Sequence, residues 1–374
     1  MRRAISLIHI LAVASLMVAV FPGNVEATKE HDPYKKPEVT GKIIKVRDLL
    51  LNGSYKKAVA ECRRAQEIYP DLLVWNFSAM LAPQARMLEL HDWSLEKDYL
   101  SGWNKLTELA ERVRCKRRFY AYDHLCLGGG LGIYGLHHAR AGNFRRAFSL
   151  GVGALRELGK AKQADPECQD LYMGYGIYHY YRGVLSHRFK WLPFFADDKR
   201  RGLEELERAR KGLFGEPLVD LAKIYLYKDE GKWAKGIELT RKLRRSYPSS
   251  KLLVQHEGYF LFRLGKFNAA IREFDNVLAS DPKNGPVHLY RGAALFRLKR
   301  LKLAEKECRA CINLSSTPFY KSYAYYFLGK IAIDRGDDAL AEKYWKEALR
   351  IYPGNKKAKI ALLMLQRKRV LEKR

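Results

Sequence analysis

The sequence predicts an all-α protein built from repeated pairs of helices. Small residues recur at a fixed interval in the C-terminal half: Gly258 and Gly292 are 34 residues apart, and so are Ala270 and Ala304. No segment shows the alternation of apolar and polar residues that a half-buried strand requires. A repeat of this length is typical of helical arrays, in which each pair of helices needs a neighbour to cover its apolar face.

Helix periodicity and breaking residues account for each repeat. Within 251–263, apolar residues return at three- and four-residue spacing, which predicts a first helix. Gly265 opens the turn to a second helix, and Pro282 ends that helix because proline has no N–H to continue it. One unit has Lys299 in place of the turn glycine. The pattern also recurs at 216–248, 285–317 and 318–353.

The fixed order of Gly258, Ala270, Phe274 and Pro282 resembles the tetratricopeptide repeat (TPR). The resemblance implies a right-handed superhelical solenoid of helix–turn–helix units. In its extended part we expect turns near Gly142 and Gly183. The chain is then divided into a signal peptide at 1–27, a linker at 28–39, an N-terminal TPR-like helical region at 40–115, extended TPR-like repeats with an aromatic insertion at 116–212, TPR repeats at 213–353 and a basic capping helix at 354–374.

The N-terminus has the pattern of an export signal. Arg2 and Arg3 precede a mostly apolar run at 4–21, and Val25-Glu26-Ala27 fits the small-residue rule for cleavage. We therefore expect an exported protein, periplasmic or associated with the cell envelope. Alternatively, the apolar run remains uncleaved and anchors the protein.

The TPR resemblance implies a non-catalytic scaffold that holds a protein or peptide in a concave groove lined by the first helix of each unit. Arg263 and Arg297 are expected to stack on each other and to suit a carboxylate. The carboxylate-clamp pattern of chaperone-binding TPR domains is not matched, since Tyr259 and Ala293 stand where an Asn is needed. The predicted groove residues are Gln255, Tyr259, Arg263, Leu289, Arg297, Tyr326 and Lys330.

Charge supports a second hypothesis. The net charge is +28, and 1–27 carries only three of the charged residues, so a processed chain stays strongly basic. A positive net charge of this size attracts anionic partners, although most of the charged side chains are expected on the solvated outer faces of helices. The alternative function is therefore the binding of an anionic polysaccharide or lipid surface. No nucleic acid is expected as a natural partner of an exported protein.

Aromatic residues crowd the extended repeats and the insertion that follows them. They either fold onto the array or form an exposed hot spot for a partner. The candidate hot-spot residues are Tyr180, Tyr181, Phe189, Trp191 and Phe194.

Several local patterns imitate cofactor or metal sites. Gly130, Gly132 and Gly135 spell a dinucleotide-binding fingerprint, but they fall inside a predicted helix instead of after a strand. The adjacent His137 and His138 point to different faces of a helix, so they form no metal-binding pair. We expect no cofactor, no metal and no catalytic residue. A third hypothesis, an accessory or cryptic enzyme, would use the region from His137 to His187.

The six cysteines leave two interpretations open. Cys308 and Cys311 have the spacing of a haem or redox motif, but Ile312 stands where covalent haem attachment needs a histidine. Export would permit disulfides, whose connectivity cannot be derived from spacing. The favoured interpretation is that these cysteines are small buried hydrophobic residues.

Overall fold

A computed structural model describes residues 32–186 and 198–372, and over these residues the chain is helical, with no β-strand. A short 3₁₀-helix at Pro33–Lys35 comes first. The seventeen α-helices of the described residues are α1 (Pro37–Leu51), α2 (Tyr55–Ile68), α3 (Val74–Leu90), α4 (Glu96–Lys116), α5 (Ala121–Arg140), α6 (Phe144–Ala164), α7 (Leu171–Ser186), α8 (Lys199–Ala209), α9 (Gly215–Glu230), α10 (Trp233–Ser246), α11 (Lys251–Arg263), α12 (Phe267–Ser280), α13 (Gly285–Arg297), α14 (Leu301–Leu314), α15 (Pro318–Asp334), α16 (Asp338–Ile351) and α17 (Lys356–Glu372).

The described residues form two compact units. The N unit contains 32–85, 96–186 and 198–229, and the C unit contains 86–95 and 230–372. The predicted boundary at 212/213 therefore lies before α9, whereas the observed division falls near the end of α9. None of the described helices is both long and apolar enough to cross a membrane.

In the N unit, α1 packs on α2, α5 on α6 and α7 on α8. The turn predicted near Gly142 is present, with φ at +82°. The turn predicted near Gly183 is wrong, because Gly183 lies inside α7. Gly183 instead allows α7 and α8 to approach closely, because a Cβ at this position would come within 2.5 Å of the backbone nitrogen of Lys199.

The predicted linker at 28–39 is wrong in its second half, because the fold already begins at Pro33. Tyr34 is buried, and its hydroxyl donates to Asp123 Oδ1 at 2.6 Å. The same hydroxyl accepts from the N–H of Leu73 at 3.0 Å. These long-range bonds fix the N-terminal residues to the fold, and a local pattern could not have indicated them.

In the C unit, the predicted units are the pairs α11–α12, α13–α14 and α15–α16, followed by the predicted capping helix as α17. The turn glycines Gly231, Gly265 and Gly336 have φ between +76° and +81°, a region that other residues rarely occupy. Lys299 is at the equivalent position with φ at +58°.

Close packing explains the 34-residue interval. A Cβ at Gly258 would come within 2.6 Å of the Phe274 ring, so only glycine lets the two helices of this unit approach. Ala270 is fully buried in α12, and Ala304 and Cys308 are fully buried in α14, where both lie next to Gly292 of the following unit. The apolar interpretation of this cysteine is therefore confirmed by its burial.

All six cysteines are free thiols, and only Cys115 is exposed. Burial raises the pKa of Cys62, Cys168 and Cys311 to about 12, with smaller contributions from nearby charges. These three groups are therefore protonated at neutral pH and are poor nucleophiles.

Candidate functional site

The first helices of the three C-unit repeats lie side by side. Helix α13 contacts both α11 and α15, so the predicted groove positions on these helices fall along one continuous face. We call this the groove face and define it by the seven residues that the sequence analysis assigned to it.

Two of the seven residues are not available as a contact surface. Gln255 and Leu289 are each only 4% exposed, so the prediction that they line a groove is wrong. Leu289 belongs to the hydrophobic core of the unit. Gln255 lies in the stretch from Leu253 to Gly258, all of which is buried, and its Oε1 has no hydrogen-bond partner among the residues that the structure describes. The exposed or partly exposed members are Tyr259, Arg263, Arg297, Tyr326 and Lys330.

The two arginines stack on aromatic rings and not on each other, which corrects the prediction. The Arg263 guanidinium lies 4.2 Å from the ring centre of Trp233, and its Nη1 donates to the Tyr259 hydroxyl at 3.1 Å. The Arg297 guanidinium lies 4.9 Å from the ring centre of Phe267. Stacking on an aromatic face attracts a guanidinium, whereas two guanidinium groups repel.

The sequence contained a signal for this arrangement that the analysis missed. Trp233 and Phe267 are also 34 residues apart, and each begins the second helix of the unit that precedes its arginine. Each arginine therefore contacts the previous repeat, which ties the repeats together and holds the guanidinium in a defined place.

At the other end of the groove face, Tyr326 carries a basic neighbour. Lys357 Nζ lies 5.8 Å from the centre of the Tyr326 ring. The Trp345 indole N–H donates to the Tyr326 carbonyl at 3.1 Å, which fixes the helix at this point. The acidic Asp334 is bound by Lys299 at 2.5 Å.

The exposed part of the groove face is thus aromatic and basic. Its cationic groups are the guanidinium groups of Arg263 and Arg297 and the amine of Lys330, and Tyr259 and Tyr326 lie beside them on the same helices. Guanidinium groups held on rings can bind carboxylates through paired N–H donors, and tyrosines add apolar area with a polar tip. This chemistry suits a peptide that carries acidic and apolar side chains.

Within the C unit, the segment 86–95 packs against the repeats. Arg86 Nη2 lies 3.0 Å from Asp281 Oδ2, at the end of α12. The Thr317 hydroxyl donates to the His91 carbonyl at 2.5 Å, and the His91 ring lies 5.4 Å from the ring of Tyr320. The segment 86–95 therefore contacts the beginning of α15, the helix that carries Tyr326 and Lys330 of the groove face.

The predicted aromatic hot spot is only partly described. Tyr180 is 1% exposed, so its assignment to an exposed hot spot is wrong. Its ring lies edge to face with that of Tyr181, at a centroid distance of 5.4 Å. Tyr181 is partly exposed, and its hydroxyl donates to Asp229 Oδ2 at 3.1 Å. Phe189, Trp191 and Phe194 lie outside the described residues.

The glycines and histidines that resemble cofactor- and metal-binding patterns lie within helix α5. Gly130, Gly132 and Gly135 lie within α5. The two ring nitrogens of His137 are near Glu96 and Gln84, at 3.1 and 2.7 Å. Within 32–186 and 198–372, no group of three histidine, cysteine or acidic side chains is placed to hold a metal ion. His187 lies outside the described residues.

Comparison with known families identifies the repeats of the C unit. Family models for the tetratricopeptide repeat match residues 257–316 and 322–355. These stretches include α13–α14 and α15–α16, so the interpretation of the 34-residue interval as TPR repeats is confirmed there.

Curated relatives share short stretches of the chain. RNA polymerase II-associated protein 3 of Mus musculus is 32% identical over 104 residues, which are 28% of this chain and 15% of that protein. Stress-induced-phosphoprotein 1 of Caenorhabditis elegans is 25% identical over 146 residues, 39% of this chain and 45% of that protein. The match therefore spans less than half of the length of either relative.

Among solved structures, the Cut9 chain of an APC/C hetero-tetramer, Cut9–Hcn1, has a similar fold. The TM-score is 0.59 with 16% identity, and the match covers 90% of this chain and 57% of that one. At this identity the likeness concerns the fold alone, and it supports an all-α TPR-type architecture.

Proposed function

We propose that the protein is a non-catalytic scaffold that binds a protein or peptide segment on the groove face. The observation that carries the proposal is the aromatic and basic surface on adjacent first helices of confirmed TPR repeats. Two of its cations, Arg263 and Arg297, are stacked on rings. A cation held in place loses little conformational freedom on binding, which favours affinity.

The proposed partner presents acidic and apolar side chains along an extended or helical segment. Arginine and tyrosine are the residue types that supply most binding energy at protein interfaces. Tyr326 and Lys330 are one turn apart on α15, and Tyr259 and Arg263 are one turn apart on α11. A segment that crosses the first helices can therefore meet a ring and a cation at successive repeats.

The proposed place of action is the cell envelope. This proposal rests on the N-terminal sequence pattern alone, because 1–27 lies outside the described residues. Fractionation of the native cells, together with N-terminal sequencing of the protein, tests it. A protein that begins near Thr28 and is recovered outside the cytoplasm supports export, and a full-length chain in the cytoplasm overturns it.

Site-specific cross-linking tests the binding surface. A photoreactive amino acid replaces Tyr326 or Lys330 on the groove face, or Lys302 or Lys306 on the exposed side of α14 as a control. After illumination in native cells, we expect adducts with a discrete protein from the groove-face positions. Equal adducts from the α14 positions, or adducts from those alone, would contradict the proposal.

A further inference from the structure

The last helix of the described chain is apolar on two sides. Towards the repeats, Ala358 and Leu365 are buried against α16, where they pack in one cluster with Trp345. On the opposite side, Ile360, Leu363 and Met364 are 53%, 55% and 68% exposed. Capping helices of repeat arrays normally present a polar outer face, so this second apolar side is unexpected.

The exposed apolar residues form a single stripe. Ile360, Leu363, Met364 and Leu371 are spaced by three, four and eleven residues from the first, which places them on one face of a helix. Five of the thirteen large hydrophobic side chains that are exposed in the described residues lie on α17. The stripe is therefore a concentrated feature and not the usual scatter of exposed apolar groups.

Basic residues lie within and beside this stripe, with no acidic residue of α17 between them. Helix α17 contains six lysines and arginines, and its only acidic residue is the last one, Glu372. Met364 and Leu371 line a shallow pocket together with Arg367 and Lys368, and Lys368 Nζ is paired with Asp338 Oδ2 at 3.0 Å. Arg369 is on the buried side, where it binds Glu342. The exposed face thus combines apolar side chains with cations, of which Arg367 lies within the stripe and Lys359 and Lys368 lie at its sides; we call it the α17 face.

Charge decides which occupant fits the α17 face. A second copy would place Arg367 and Lys359 of one chain beside the same cations of the other, and like charges in contact repel. An anionic bilayer surface has the complementary charge, accepts apolar side chains at the level of its headgroups and requires no matching groove.

We propose that the α17 face docks the protein on an anionic lipid bilayer. The apolar stripe enters the interface, and the exposed lysines and arginines within and beside it bind phosphate-bearing headgroups. The groove face is defined on α11, α13 and α15, so it shares no residue with the α17 face. This inference is independent of the proposed peptide binding.

Vesicle co-sedimentation tests the inference. The probe is vesicles of phosphatidylcholine alone, or of phosphatidylcholine and phosphatidylglycerol in a three-to-one ratio. The protein is the chain from residue 28, so that the apolar N-terminal run cannot contribute. Leu363→Asp/Met364→Asp is compared with Ile68→Asp/Leu303→Asp, two side chains of similar exposure on other helices. Both pairs change the net charge equally, so bulk electrostatic attraction is matched.

We expect the unchanged chain and the control pair to bind the anionic vesicles and not the neutral ones. The α17 pair should lose roughly tenfold or more in the bound-to-free ratio, because charged groups do not enter the interface. Circular dichroism and the urea midpoint verify that both variants are folded. Equal binding by the two variant pairs would overturn the proposal. So would a concentration-dependent dimer that the α17 pair dissociates, since the occupant would then be a second copy.

Discussion

His288 shows how single residues join the helices of a repeat. Its Nδ1 lies 2.7 Å from Glu307 Oε2, and its Nε2 lies 2.9 Å from the Pro282 carbonyl oxygen. Both neighbours are acceptors, so only the protonated ring satisfies both contacts. Burial lowers the pKa of His288, but the hydrogen bonds to Glu307 and Pro282 outweigh it and raise the pKa above 6.5. His288 therefore links α13 to α14 as a cation.

The His288→Gln variant should destabilise the protein most in mildly acidic solution. Because the folded pKa of His288 is raised, its contribution is full below the unfolded value near 6.5 and is lost as pH rises through the folded value. The pKa of Glu307 is lowered: burial raises it, but His288 and Arg291 outweigh that effect. Its contribution is therefore lost as pH falls through that lowered value.

Urea unfolding at two pH values measures this effect. We expect His288→Gln to lower the free energy of unfolding by about 2 kcal/mol at a pH midway between the pKa of Glu307 and that of His288. At alkaline pH the loss should be clearly smaller. Glu307→Gln should lose stability in the same acidic window. A loss for His288→Gln that is the same at both pH values would contradict the assignment of a charged ring.

At the scale of elements, the turn between α13 and α14 is strained. Lys299 has φ at +58°, where the other TPR turns in this unit have glycine. A residue with a Cβ is disfavoured in this region by about 1 kcal/mol or more. The Lys299 side chain is 73% exposed in its ion pair with Asp334, so solvent screens the pair and it offsets little of this cost.

Lys299→Gly should therefore stabilise the protein. The expected gain is about 0.5–1 kcal/mol, since relief of the backbone strain exceeds the entropy that glycine adds to the unfolded chain. Lys299→Ala is the matched control, because it removes the ion pair but keeps the Cβ. The midpoints of thermal and urea unfolding measure the stability of both variants. If the alanine variant gains as much as the glycine variant, the strain is not at this backbone position.

Helices α7 and α8 approach each other through glycine. A Cβ at Gly202 would come within 2.3 Å of the Tyr180 backbone nitrogen and within 2.6 Å of the Gly176 carbonyl oxygen. Backbone atoms cannot move aside as a flexible side chain can. We expect Gly202→Ala to cost about 2 kcal/mol, although alanine is the better helix former.

Gly159→Ala provides the control for this prediction. Gly159 lies in α6 with open space around the position of a Cβ, so the substitution should be neutral or stabilise by up to about 1 kcal/mol. Urea midpoints of the two variants are compared with that of the unchanged chain. A neutral Gly202→Ala would show that α7 and α8 are less closely packed than described.

At the scale of the whole molecule, local sequence patterns predicted the features that each repeat shares with its neighbours. Gly265 and Gly336 marked the turns of the C unit because a repeat makes the same contacts at each interval. Contacts between distant residues leave no such pattern. The bond from Thr317 to His91 joins positions 226 apart, and the burial of Gln255 became visible only in the fold.

The candidate site was predicted in outline and corrected in detail. Tyr259, Arg263 and Arg297 were placed on the first helices by the family resemblance. Their interactions with Trp233 and Phe267 depend on how one repeat lies against the next, which a single-repeat pattern does not contain. The α17 face was missed because a basic composition suggested a polar capping helix.

The central claim is that a protein partner binds the groove face. Isothermal titration calorimetry, with the partner segment that cross-linking identifies, compares Arg297→Ala/Lys330→Ala with Lys302→Ala/Lys306→Ala. Both pairs remove two positive charges, but only the first pair lies on the groove face. We expect at least about tenfold weaker binding for the groove pair and an unchanged Kd for the control pair. Equal Kd values for the two pairs, whether both weakened or both unchanged, would contradict it.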